Sequence, residues 1–314
     1  YRSMVIITTS PCFINIMDLL TIEKLITQAA IRGDEIVNLS HRGLKIVSDS
    51  LKKLKHAKTL CLNDNKLLMP PTELGAMVQL EELVLDNNQL TVFPPGVGKL
   101  QHLLYLSVCY NPLGMLPKDI GQLITLSQLW LVECQLMNIP EELGNLQNLE
   151  KLSLRCNNIS CFPKEFYKLT KLRWLCFAEN YFQDLPDQFE NLISISYLNM
   201  NHNRFEDIPK CLGELPKIIS LNMKGNYIQQ VSDDILLSLS NLTKFDLRDN
   251  QIVVKPAHWK VCLKKLLIII LNMISADTDS EITHRLRTIN EIHTDVENES
   301  VEGSDFEDLK NKIG

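Results

Sequence analysis

Seven prolines recur at an unbroken interval of 23 residues, and this period restricts the fold more than any other feature of the chain. They are Pro71, Pro94, Pro117, Pro140, Pro163, Pro186 and Pro209. A fixed period of roughly 20–50 residues indicates that one small supersecondary unit is copied along the chain. Such an array buries its apolar residues by stacking its units, and it presents a surface more often than it carries out chemistry.

Each proline lies in a longer frame with the same period. Upstream of Pro94 the frame reads Leu80-x-x-Leu83-x-Leu85-x-x-Asn88-x-Leu90. Its first position falls at residues 34, 57, 80, 103, 126, 149, 172, 195 and 218, and a last step of 24 brings it to Leu242. The sequence therefore predicts ten clear repeats, and positions within a repeat are numbered below from this first residue.

The spacing within one unit predicts a short strand followed by a turn. Apolar positions 4 and 6 alternate with exposed ones, so successive strands are expected to pair in parallel over one shared core. Position 9 requires a side chain that both donates to and accepts from backbone groups at the turn. Asn65, Asn88, Asn111, Asn157, Asn180, Asn203, Asn226 and Asn250 occupy it, whereas Arg42 and Cys134 depart from the pattern. Proline donates no backbone hydrogen bond, which suits an irregular convex segment.

The frame Leu-x-x-Leu-x-Leu-x-x-Asn/Cys-x-Leu, with its apolar-Pro-x-x-apolar-Gly-x-Leu ending in residues 116–123 and 139–146, resembles that of intracellular leucine-rich-repeat proteins. Within them the chain is most similar to the Ras-suppressor, Ras-scaffold and erbin-type group. The resemblance covers residues 34–255. It implies an α/β solenoid, a horseshoe with a parallel β-sheet on its concave face and short irregular or 3-10 segments on its convex face. It also implies cytoplasmic scaffolding, often around small GTPases or phosphatases, but it carries over no partner-contacting residue.

The ends of the array differ in composition from its middle. We interpret residues 1–16 as a peripheral extension and residues 17–33 as a capping helix, because apolar side chains recur at helical spacing over 18–32. The solenoid then runs over 34–275 and includes a degenerate closing unit. Its last apolar run, 266–271, is either an eleventh strand or part of a buried helix over 259–274.

Residues 276–314 form a short helix, near 280–292, and an acidic, largely disordered tail. This segment contains eleven Asp or Glu against four Lys or Arg, a net charge of −7.

Composition and motifs exclude several classes of function. No apolar run approaches the roughly 18 residues that a membrane-spanning helix needs. The nine cysteines are scattered and form no Cys-x-x-Cys pair, which predicts a reducing compartment and no metal site. No catalytic constellation is recognisable, so we expect neither an enzyme nor a bound cofactor. The net charge of −6 argues against a nucleic-acid partner, and we expect a monomer.

The candidate site is the exposed side of the strands, where positions 3, 5, 7 and 8 are expected to face the concave surface. Aromatic side chains concentrate there in repeats four to eight, beside two basic ones. The predicted partner-binding residues are Tyr105, Tyr110, Trp130, Lys151, Arg155, Trp174 and Tyr197. Aromatic residues are enriched among binding hot spots. The alternative is that these bulky side chains only cover neighbouring strands.

Two functions remain open on the sequence alone. The first is a non-enzymatic scaffold in cytoplasmic signalling that binds a protein through its concave face. The second is a regulatory subunit or adaptor of a small GTPase or phosphatase complex, switched by the acidic tail. In that case the tail would switch binding by phosphorylation or by folding back onto the basic later repeats.

Overall fold

The computed structural model describes residues 16–253, with side chains from residue 20 onward. Several predictions therefore lie outside the described residues. They concern the extension before residue 16, the closing unit at 266–271 with its helical alternative, the helix near 280–292, and the acidic tail.

Ten short parallel strands form one open sheet in sequence order. They are β1 (Ile36–Asn38), β2 (Thr59–Cys61), β3 (Glu82–Val84), β4 (Tyr105–Ser107), β5 (Gln128–Trp130), β6 (Lys151–Ser153), β7 (Trp174–Cys176), β8 (Tyr197–Asn199), β9 (Ser220–Asn222) and β10 (Lys244–Asp246). Each strand covers positions 3–5 of its repeat. Equivalent positions pair across every step, as Leu83 does with Leu106.

The apolar side chains at positions 4 and 6 point into one continuous core. Leu129, Leu131 and their equivalents in neighbouring repeats are fully buried there. The opposite side of the sheet is the concave face, defined by positions 3, 5, 7 and 8. The predicted leucine-rich-repeat solenoid, with its parallel sheet on the concave face, is confirmed.

In repeats one to nine, the convex side contains one short helical segment per repeat. Eight are 3-10 helices: Asp49–Lys53, Thr72–Ala76, Val97–Lys99, Lys118–Gln122, Glu141–Asn145, Lys164–Lys168, Asp187–Asn191 and Lys210–Glu214. The ninth repeat instead contains helix α2 (Asp233–Ser238). The periodic prolines immediately precede most of these segments. Ser48 and Ser232 occupy the same slot in the first and ninth repeats, and there the serine hydroxyl accepts a backbone hydrogen bond as an N-cap.

Helix α1 (Ile16–Arg32) covers the open edge of the first repeat, over the segment for which a capping helix is predicted. Ile22, Ile26 and Ala29 are buried in the common core. Lys53 Nζ donates to Thr27 Oγ1 at 3.2 Å and so ties α1 to the first 3-10 segment. The helix ends before Gly33, whose φ of 71° is the left-handed conformation that glycine adopts without strain.

Asparagine at position 9 connects each repeat to the one before it. In the sixth repeat, Asn157 Nδ2 donates to the carbonyl oxygens of Leu131, Leu154 and Arg155 at 2.7, 2.9 and 3.1 Å. Its Oδ1 accepts from the backbone N–H groups of Cys134 and Leu136. One buried amide thus satisfies five backbone groups in two repeats, and its equivalents make similar bonds from Asn65 to Asn250.

Cys134 interrupts this ladder of side-chain hydrogen bonds. Its Sγ donates to the carbonyl oxygen of Val108 at 3.3 Å, which retains one contact with the preceding repeat. A thiol has no amide oxygen, so the N–H of Leu113 donates to the carbonyl oxygen of Asn111 instead. The N–H of Gly114 in turn donates to the carbonyl oxygen of Cys134 at 3.1 Å. The turn of the fourth repeat is therefore rearranged around the missing asparagine.

We predict that Asn157→Ala lowers the free energy of unfolding by about 2–4 kcal/mol, because it leaves several buried backbone groups without a partner. Urea denaturation followed by circular dichroism measures this change. The matched control is Asn158→Ala at the next residue, which is exposed and outside the ladder. A loss within about 0.5 kcal/mol of the control would contradict the role given to the ladder.

Candidate functional site

In every described repeat the residue at position 8, three residues after the end of the strand, has a left-handed backbone conformation. Nine are non-glycine residues with φ between 51° and 58°: His41, Asp64, Asn87, Tyr110, Glu133, Cys156, Glu179, His202 and Asp249. Gly225 is the tenth, with φ of 68°. This conformation is uncommon for side-chain-bearing residues, and here it turns the chain away from the sheet. Position 8 therefore forms the rim of the concave face, and at this rim Tyr110 is 46% exposed.

Three of the predicted aromatic residues join into one surface, which we call the aromatic platform: Trp130, Trp174 and Tyr197. The ring centroids of Trp130 and Trp174 are 5.2 Å apart, although strand β6 separates their strands. Trp174 and Tyr197 stack with a centroid distance of 5.3 Å and an interplanar angle of 2°. All three side chains are half-buried, so each ring retains an accessible part. Stacked aromatic side chains offer a large and rigid contact area.

Tyr105, one of the predicted partner-binding residues, is buried and not exposed on the concave face. It lies on β4 at a concave position but is only 8% exposed, because it packs with Cys61 and Val84 in a small apolar cluster. Trp130 rests on the same cluster. Tyr105 therefore supports the edge of the platform and is not itself presented, as the strand-covering alternative predicts for this one residue.

The two basic residues of the predicted site lie beside the platform. Lys151, on β6 between the two tryptophan strands, is half-buried. Arg155 Nη2 lies 2.9 Å from Glu179 Oε1 in the next repeat. Cys156 Sγ donates to the other carboxylate oxygen of Glu179 at 3.1 Å. Burial, together with Glu179, raises the pKa of the Cys156 thiol to about 12, so it stays protonated and acts as a donor.

Asp86 is a buried carboxyl group whose environment the sequence did not reveal. It occupies concave position 7 yet is only 3% exposed. Its Oδ1 accepts from Ser107 Oγ at 2.6 Å and from the N–H of Cys109 at 2.7 Å, while its Oδ2 has no partner. Burial raises the pKa of Asp86 to about 7, although these two hydrogen bonds lower it. The sequence feature that could have indicated this buried carboxyl group is the small residue Ser107, at position 5 of the following repeat, which donates a hydrogen bond to Asp86.

A second exposed apolar surface lies away from the concave face, at positions 12 and 13 after each turn. In the first five repeats these positions hold large apolar residues that are 42–71% exposed. This lateral edge comprises Ile46, Leu68, Met69, Val92, Met115 and Met137. In repeats seven and eight the same positions are polar, as with Gln183 and Glu206. The two surfaces are thus distinct in place and composition.

Within residues 16–253, no group of His, Cys, Asp or Glu side chains is arranged to hold a metal ion. In the same part of the chain, no helix has both the length and the apolar content needed to cross a membrane. The cysteines at positions 61, 109, 134, 176 and 211 are buried and unbonded to one another, and they pack as small apolar residues.

Comparisons with known proteins agree on the architecture. A family model described as a leucine-rich repeat region matches residues 117–275, and one for a single leucine-rich repeat matches residues 79–100. Among curated proteins no significant match is found.

Solved structures extend the comparison. A leucine-rich-repeat protein of Leptospira interrogans is 32% identical, with a TM-score of 0.72 over 77% of this chain and 62% of that one. The plant peptide hormone receptor RGFR1, in complex with RGF2, is 26% identical with a TM-score of 0.54, covering 64% of this chain and 37% of that one. The InlJ functional domain of Listeria monocytogenes is 21% identical over 76% of this chain and 49% of that one, with a TM-score of 0.60, which shows the fold alone. The chain spans less than two thirds of the length of each.

We predict that Asp86 makes stability depend on pH. Its pKa of about 7 in the folded protein exceeds the ordinary value of about 3.9, so the folded state binds the extra proton. Its contribution to stability is present in full below about pH 4 and is lost as the pH rises to about 7. Relative to the parent, Asp86→Asn should gain on the order of 2–4 kcal/mol between pH 4 and pH 8.

Urea denaturation of both proteins at pH 4, 6 and 8 measures this difference. Glu133→Gln, which removes an exposed carboxylate from the same face, serves as the control. If Asp86→Asn and the parent keep a constant difference across these pH values, Asp86 is not the titrating group.

Proposed function

Because this chain belongs to the leucine-rich-repeat proteins, we propose that it is a non-enzymatic scaffold that binds a protein partner through its concave face. The aromatic platform forms the centre of the contact. Tyr110, Lys151 and Arg155 surround it, and the chain acts as a monomer.

The observation that carries this proposal is the parallel stack of Trp174 on Tyr197. Two large rings lie face to face on the solvent side of a sheet, where they fill no core. Interface centres are enriched in tryptophan and tyrosine because these rings bury much apolar area at a small cost in side-chain entropy. Tyr197 Oη accepts from Asn222 Nδ2 at 3.3 Å, which helps to hold the stack before a partner arrives.

One similar structure supports a peptide or protein as the ligand. RGFR1 was solved in complex with RGF2, and its description names it as a peptide hormone receptor. The repeats matched here are a part of that receptor, so the similarity supports the class of ligand and identifies no partner.

The resemblance to the Ras-suppressor, Ras-scaffold and erbin-type group narrows the proposal further. It makes a cytoplasmic signalling role the expected setting, with small GTPases and phosphatase complexes as the first partners to test. Residues at positions 4, 6 and 9 carry this resemblance, and they are structural, so it does not select between these partners.

The alternative of a switch by the acidic tail is not favoured by the later repeats. Two basic side chains at their concave positions already have acidic neighbours. Lys224 Nζ lies 3.4 Å from Asp249, and Arg248 Nη2 lies 2.6 Å from Asp246. A tail that folds back would have to break these local ion pairs before its own carboxylates could pair with the same basic side chains.

We predict that Trp174→Ala combined with Tyr197→Ala reduces the amount of partner retained by the immobilised chain at least tenfold, since hot-spot truncations cost about 2 kcal/mol or more each. Quantitative mass spectrometry of proteins captured from a cell lysate provides the measurement. The melting temperature should fall only modestly, because both rings lie on the solvent side of the sheet and outside the common core.

The matched control is Tyr181→Ala combined with Tyr227→Ala, which removes two exposed tyrosines at position 10, away from the platform. Equal loss of partner in both double variants, or retention in both, would refute binding through the platform.

A further inference from the structure

Charge is distributed unevenly along the concave face. Repeats two to five together have sixteen concave positions. These contain four acidic residues in total and no Lys or Arg. These are Asp64, Glu82, Asp86 and Glu133, which we call the acidic half. In repeats six to ten the same positions contain five basic and three acidic residues, a net of +2. The face is therefore negative at one end and weakly positive at the other.

Among residues 16–253, the carboxylates of the acidic half contact polar groups but no lysine or arginine. Asp64 Oδ1 accepts from Asn87 Nδ2 at 2.9 Å, and Glu82 Oε2 accepts from Thr59 Oγ1 at 3.1 Å. Asp64 Oδ2 lies 3.3 Å from His41 Nε2, a pair that is ionic only when the histidine is protonated. Glu133, at the rim, is exposed. Their negative charge is thus left to act on whatever binds the concave face.

Two buried polar atoms where the acidic half meets the platform lack a hydrogen-bond partner. Asp86 Oδ2 is an acceptor without a donor, in a side chain that is 97% buried, since its relative exposure is 3%. Trp130 Nε1 is a donor without an acceptor. Buried polar groups in folded proteins are nearly always satisfied, so these two atoms leave hydrogen-bonding capacity unused directly beneath this part of the concave face.

We propose that the partner reaches the concave face with a cationic segment. Its lysine or arginine side chains lie over the acidic half, and an apolar or aromatic side chain next to them packs on the platform. This inference rests on the proposed function and adds the chemistry and orientation of the bound segment. From repeat two to repeat five the strands span three spacings, about 15 Å, which an extended peptide covers in four or five residues.

Electrostatics disfavour the other occupants of this half. A nucleic acid would bring phosphates against the three accessible carboxylates, Asp64, Glu82 and Glu133. The chain's own residues 276–314 have a net charge of −7 and would be repelled in the same way. A cationic segment gains instead, because complementary charge accelerates association and selects among partners.

A library of random dodecapeptides displayed on phage tests the proposal when it is panned against the immobilised full chain. We expect the selected peptides to contain at least three times more Lys and Arg, relative to Asp and Glu, than the unselected library. Panning against Glu82→Lys combined with Glu133→Lys should abolish this excess. The strongest basic peptide should bind that variant at least tenfold more weakly, and its affinity for the parent should fall with added salt.

The matched control is Glu141→Lys combined with Glu190→Lys, which makes the same change of charge at exposed convex positions. It should select the same basic peptides as the parent. Glu133→Lys alone, at an exposed rim site, covers the case in which the double variant unfolds, and it should reduce the basic excess in part.

The outcomes separate this inference from the function on which it rests. If the selected peptides lack a basic excess but fail to bind Trp174→Ala, the proposal of a cationic segment is wrong and binding through the platform still holds. Basic peptides that bind Trp174→Ala as well as the parent overturn the platform. The inference is wrong if peptides selected on Glu82→Lys combined with Glu133→Lys keep the same basic excess. It is also wrong if panning enriches no peptides at all.

Discussion

The hydrogen bonds of an asparagine at position 9, present in eight of the ten described repeats, are the constraint on which the rest of this structure depends. Each three-residue strand is too short to be stable alone, and its chain turns away at a left-handed residue. The amide at position 9 satisfies the backbone groups at this turn and reaches back into the preceding repeat. Since every repeat is bound to the last in the same register, equivalent positions form continuous rows along the solenoid.

Those rows explain how short repeats form one continuous exposed surface on the concave face. A row at position 4 becomes core, and rows at positions 3 and 5 become the concave face. On that face, the size of the side chain in one repeat determines how much of the side chains in the neighbouring repeats remains exposed. The rings of Trp130 and Trp174 contact each other across the strand that lies between them, whereas Tyr105 is buried in the apolar cluster with Val84. The platform is thus a property of neighbouring repeats and not of any single motif.

The period alone was enough to predict the ten strands, their parallel order and their concave side, because each depends on spacing within a unit. Spacing could not predict the burial of Tyr105 or Asp86. Those outcomes depend on the size of residues 21–25 positions away, such as Ser107 beside Asp86 and Trp130 beside Tyr105. The left-handed conformation at position 8 was equally hidden, since residues as different as Tyr110 and Glu179 adopt it. The group within the leucine-rich-repeat family stays a prediction, because the matching positions are structural.

Hydroxyl-radical footprinting of the chain, free and bound to the partner that it retains, tests the central claim most directly. Tryptophan, tyrosine and methionine are all reactive probes, and they are distributed over both exposed surfaces. Binding through the aromatic platform should protect Trp130, Trp174 and Tyr197 and leave Met115 and Met137 on the lateral edge unchanged. Protection of those two methionines, with the three rings as reactive as in the free chain, would contradict it.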